Sequence, residues 1–96
     1  MSLSAFNRSL SGKKPPGGLA PALTALWWAG KNGWDKAHEI VMNEGRADCA
    51  WVHAYLHRVE GDLNNAGYRY QRARREAASG DLKTEWTAIA ATLLQS

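Results

Sequence analysis

The stretch "WVHAYLHRVEGDLNNAGYRYQRARRE", residues Trp51 to Glu76, decides how this chain is read. It gathers two histidines, three tyrosines and five arginines around a Gly-Asp turn. A helix capped by Asp48 is expected to run through it until Gly61, whose freedom to take a positive φ suits the position just past a helix end. Asp62 then caps a second helix with Leu63, Ala66, Gly67, Tyr70 and Ala73 along one side, and "ASGD" closes it. The stretch predicts a helical hairpin.

The same grammar extends outward. Leu19, Leu23, Leu26, Trp27 and Gly30 fall at helical spacing, with Pro21 tolerable in a first turn. "KNGW" supplies a stop, after which Trp34, Ala37, His38 and Val41 recur on one face until "NEGRAD" interrupts. Asp81 opens a last helix, where Leu82, Trp86, Ile89, Ala90 and Leu93 form an apolar stripe. No segment alternates with the period of two that marks a strand. Five helices with short connections imply antiparallel neighbours and an all-α domain over residues 19–96. Residues 1–18, with Ser, Gly, Lys and a Pro-Pro-Gly-Gly run, are expected to form a flexible N-terminal arm.

The two central hairpins, "NGWDKAHEIV" and "EGDLNNAGYRY", each place Gly at a turn, a large apolar residue soon after it (Trp34, Leu63), and a small residue (Ala37, Ala66) where helices must approach closely. This resembles the tetratricopeptide repeat, through Ala54, Gly61, Asp62, Leu63, Ala66, Tyr70 and Ala73. The resemblance implies a stack of two antiparallel helical hairpins plus a C-terminal capping helix, and a peptide-binding groove lined by the first helix of each hairpin. The pattern WVHAYLHRxEGDxxNAxY is also similar to one in a group of short bacterial proteins with fungal relatives, which implies a fold and no mechanism.

Composition sets bounds on function. With 96 residues, 45% apolar and 22% charged, the chain is expected to form one globular domain. The five tryptophans are expected core anchors, or hot spots where one is left in a groove. The single cysteine, Cys49, excludes an intramolecular disulfide and a multi-cysteine zinc site, and suits a reducing cytoplasm. No run is apolar and long enough for a signal peptide or a membrane span, so no membrane contact is expected. A net charge of +3 is too mild to argue for nucleic acid unless the basic residues share one face.

Three constellations carry candidate chemistry. His53, His57 and Glu60, at i, i+4 and i+7, share one helix face, and His38 could join them from the preceding helix. A histidine pair at this spacing can chelate zinc or another late transition metal. Alternatively, Glu60 could raise the basicity of His57 for acid–base hydrolysis, with Arg58 or Arg72 stabilising an anion. As a third possibility, the cluster only braces the hairpin, with neutral imidazoles satisfied by hydrogen bonds. This structural role is the primary expectation, with no metal or other cofactor. The second constellation, Asp48, Trp51, Tyr55 and Arg58, maps through the resemblance to the concave groove. It implies a protein or peptide partner, or self-association as a homodimer; equally, Trp51 and Tyr55 could simply cover the neighbouring helix. The third is Tyr68 with Arg72 and Arg75, which could stack and neutralise single-stranded nucleic acid; a solvated basic helix is the commoner outcome. The leading expectation is therefore an interaction or self-association module.

Overall fold

A computed structural model describes residues 1–95; Ser96, inside the expected domain of 19–96, lies outside the described residues. Among the described residues there are six helices and no strand: α1 (Leu3–Ser9), α2 (Pro21–Gly30), α3 (Trp34–Val41), α4 (Ala47–Glu60), α5 (Leu63–Ala73) and α6 (Leu82–Leu94). None is long and apolar enough to cross a membrane.

Local chemistry accounts for most boundaries. Pro21 occupies the first turn of α2, where its missing N–H is no loss. Gly61 ends α4 at φ 86°, the left-handed region in which a Cβ is costly. The Asp62 carboxylate accepts from the Asn65 N–H at the start of α5, and Asp81 accepts from the Lys83 N–H at the start of α6. Asp48 departs from its expected capping position. Arg46 is the residue that precedes α4, and Asp48 sits in the first turn with its carboxylate accepting from the Cys49 N–H at 2.8 Å.

α4 is the central element. Every residue from Cys49 to His57 is buried, so this helix is covered on all sides; apart from His53 and His57, whose rings are hydrogen-bonded, these residues are apolar or aromatic. α5, α3, α2 and α6 all pack against it, and α2 packs against α3. α6 lies on α2 and α4, and it meets α5 through the hydrogen bond that Tyr70 donates to Glu85.

Tryptophans pin these layers. The Trp34 indole N–H donates to the Leu56 carbonyl at 2.7 Å, and Trp86 donates to the Leu26 carbonyl at 2.9 Å. The buried Trp86 and the partly buried Trp34 thereby satisfy their one polar atom while contributing large apolar area. α2 comes close to α6 at Gly30, where an added Cβ would stand 3.0 Å from Trp86 Cζ2.

The arm expected over residues 1–18 is corrected in its first half. Ser2 caps α1 by accepting from the Ala5 N–H, and Phe6 is fully buried, stacked on Trp86 with ring centroids 5.6 Å apart. Ser9 Oγ accepts from the Trp27 indole at 3.0 Å. A seven-residue helix is too short to persist on propensity. Burial of one Phe ring, worth about 2–3 kcal/mol, supplies what the local sequence lacks.

Candidate metal centre

Helical spacing places His53 and His57 one turn apart on α4, and the packing of α3 against α4 brings His38 to the same point. His38 Nε2 lies 3.0 Å from His53 Nε2. The ring centroids stand 4.7 Å apart for His38 and His53, 5.3 Å for His38 and His57, and 4.7 Å for His53 and His57. One ring nitrogen from each of the three falls within 4.8 Å of the others.

The surroundings orient these rings. His38 stacks on Trp34 at 4.6 Å with planes 10° apart, and Trp34 in turn is held by its bond to α4. His57 Nδ1 pairs with Glu60 Oε1 at 2.7 Å, which leaves Nε2 as its second polar atom. His53 is 2% exposed and His57 is also buried, whereas His38 is half-buried, so the cluster reaches the surface on the His38 side. Burial holds His53 down to about 4, with Arg69 the next influence and the neighbouring histidines adding to it. Burial also lowers His38, followed by His57. Both imidazoles are therefore neutral at pH 7, the form in which a ring nitrogen can accept a bond or ligate a metal.

The other constellations end up elsewhere. Trp51 and Tyr55 are buried, and α6 lies over the α2 and α4 surface that was expected to be an open groove. Arg58 is turned inward, donating from Nη1 to Glu85 Oε1 at 2.9 Å and from Nη2 to the Gly80 carbonyl. Asp48 is half-buried at the other end of the helix. The four residues do not form an exposed partner surface. The physical reason is that the chain's own last helix covers them.

The arginine patch is also dispersed. α5 ends at Ala73, and Arg74 takes a left-handed conformation that redirects the chain, so Arg75 lies over the Trp51 ring at 3.5 Å. Tyr68 and Arg72 remain exposed on α5 without Arg75 beside them. A stacking platform with adjacent phosphate contacts is not assembled.

Two residues outside the expected sites matter. Glu85 on α6, only 7% exposed, accepts from Arg58 and from the Tyr70 hydroxyl, tying α4, α5 and α6 together. Burial, together with this bond, pushes the Tyr70 hydroxyl up from its ordinary value. Arg69 on α5 carries a buried Nε with no hydrogen-bond partner among the described residues. Its place three residues after Ala66 and one before Tyr70 puts it at the edge of the packed face, a signal present in the sequence. Cys49 is fully buried, and burial pushes its thiol up to about 12, which removes it as a nucleophile. Compared with protein-family models, curated proteins and solved structures, the chain matches none.

Proposed function

We propose that this domain binds a late transition-metal ion, zinc foremost, through the ring nitrogens of His38, His53 and His57. The observation that carries the reading is the convergence of three imidazoles from two helices, with one ring nitrogen of each within 4.8 Å of the others. Two nitrogens on a tetrahedral zinc stand about 3.3 Å apart, given a Zn–N distance of about 2.0–2.1 Å. The 3.0 Å separation of His38 and His53 Nε2 is close to that, so a small widening admits an ion. Glu60 on His57 Nδ1 supplies the outer carboxylate that would fix the orientation of a ligating imidazole. Three protein ligands leave one position for water, the arrangement of a hydrolytic rather than a closed structural site. Isothermal titration with zinc tests this. One equivalent should bind the wild-type chain and be lost in His53→Ala and in His38→Ala. Equal binding by the variants, or none by the wild type, refutes it.

The fold reading that accompanies it is tetratricopeptide-like. It is supported by the packing of α2 on α3 and α4 on α5, with Ala37, Ala54 and Ala66 buried, and by Tyr70 buried where the repeat carries an aromatic. Against the resemblance, α6 lies across α2 and α4 instead of extending the stack beyond α5.

A second reading, self-association, is favoured by exposed apolar residues. Leu63 is 68% exposed, and Val59 and Leu82 border a cavity of about 240 Å³ with Trp34 and Tyr55 in its walls. Sedimentation equilibrium should show a dimer that Val59→Asp dissolves. A monomer at every concentration ends this reading.

A further inference from the structure

A cleft opens where α1, α2, α4 and α6 meet. It comprises a cavity of about 600 Å³ and the cavity of about 240 Å³ that Val59 borders, and Ala29, Asn32, Tyr55 and Leu82 line both. The larger volume falls within the range of about 300–1,000 Å³ that small-molecule sites occupy. Its apolar walls are Leu10, Leu82 and the rings of Tyr55 and Trp86, so the end of the short first helix completes one side. Tyr55 is buried, yet its hydroxyl makes no hydrogen bond among the described residues. Arg69 Nε is the one fully enclosed side-chain polar atom there without a partner, so the Tyr55 hydroxyl is not sealed in and opens to the cleft that its side chain lines. Burial, followed by Glu85, pushes Tyr55 up from its ordinary value, which keeps the hydroxyl a donor at neutral pH.

Charge then selects the ligand. Lys83 alone is ionised among the residues that line the two cavities. Behind those walls Lys31 donates to the Leu10 carbonyl, Glu85 is paired with Arg58, and Asp81 accepts from the Thr84 hydroxyl and the Lys83 N–H. No carboxylate lines the cleft to receive a cation, and a dianion would bring more charge than one ammonium offsets. We propose that this cleft binds a small aromatic monocarboxylate, its ring against Trp86, Leu10 and Leu82 and its carboxylate held by the Tyr55 hydroxyl and the Lys83 ammonium. A hydroxyl donating to a carboxylate makes a strong, charge-assisted bond, while the exposed ammonium contributes less. The site needs no metal and does not depend on the histidine reading. Trp34 alone belongs to both surroundings, stacked on His38 and lining the smaller cavity.

The test is equilibrium dialysis of the full chain against 2-naphthoate, with a chelator present so that no metal takes part. One equivalent should bind saturably. 2-Naphthamide, of the same size and without the charge, should bind about ten-fold more weakly. Tyr55→Phe removes a hydroxyl that has no partner in the fold, so this variant should fold as the wild type does and bind 2-naphthoate about ten-fold more weakly. Lys83→Met should weaken 2-naphthoate about two- to five-fold and leave 2-naphthamide unaffected. The proposal is overturned by an amide that binds as tightly as the acid, by affinities unchanged in both variants, or by no saturable binding to the wild type. Binding that weakens as the protein concentration rises places a second copy in the cleft and overturns it too. None of these results bears on zinc.

Discussion

Replacing Glu85 with alanine should destabilise the domain more than any other single change to a polar side chain. Its carboxylate is 7% exposed and receives Arg58 Nη1 at 2.9 Å and the Tyr70 hydroxyl, linking three helices at one point. Truncation leaves the Arg58 guanidinium and the Tyr70 hydroxyl without that acceptor in a buried setting. Breaking a buried pair by removing one partner costs about 3–5 kcal/mol. A domain of this size has on the order of 5–15 kcal/mol to lose. Urea denaturation followed by tryptophan fluorescence reads the effect directly. With a slope of about 1.5 kcal/mol per molar, the midpoint should fall by roughly 2–3 M. Glu85→Gln keeps an oxygen acceptor while losing the charge, and should cost about 1–3 kcal/mol. A midpoint for Glu85→Ala within about 0.5 M of wild type, on the same slope, would refute the claim that this network holds α6 on α4.

Stability should fall on mild acidification. The unfolded chain protonates His53 near 6.5, whereas the fold holds it down to about 4, so its contribution is fully present above the upper value and is lost as pH drops through that window. The loss amounts to roughly 3 kcal/mol from His53, and His38 acts in the same direction. Urea midpoints that stay flat between these two values would contradict the burial of neutral imidazoles. Phe6→Ala should cost about 3–5 kcal/mol in the same assay, and a loss below about 1 kcal/mol would return residues 1–18 to the status of an arm. Cys49 should resist a thiol-specific disulfide reagent in native buffer and react fully in urea, and rapid native labelling would show that the α4 core opens.

Helices α2 to α6 were legible because their signals are local. Apolar residues recur at helical spacing, Gly61 and the two capping aspartates punctuate the chain, and each of these depends only on near neighbours in sequence. α1 was hidden because its seven residues lie in a polar, Gly- and Pro-rich context, and its single anchor, Phe6, gains its burial from Trp86 at the far end of the chain. For a related reason the sequence leaves open whether Trp51, Tyr55 and Arg58 line a groove or cover a neighbouring helix. Helical periodicity tells which residues share a face, and it does not tell which later segment will cover that face. Arg75 was misplaced because one residue of left-handed backbone at Arg74 ends the helix that would have aligned it with Tyr68.

The histidine cluster was half legible. The i, i+4 spacing of His53 and His57 and the nearby Glu60 were enough to place three side chains together. His38, which the sequence offered only as a possible addition from the preceding helix, joins through the packing of α3 on α4. Arg69 and Glu85 were not anticipated as partners, since a long charged side chain at the edge of a packed face can turn outward or inward. Which way it turns depends on the partner it finds in three dimensions.

The most direct test of the metal assignment is zinc K-edge X-ray absorption of the chain loaded with one equivalent of zinc. The account predicts three imidazole nitrogens at about 2.0–2.1 Å and one lighter-shell oxygen, with the imidazole scattering reduced in His38→Ala. A spectrum of oxygen ligands without imidazole scattering, or a chain that retains no zinc, would contradict it.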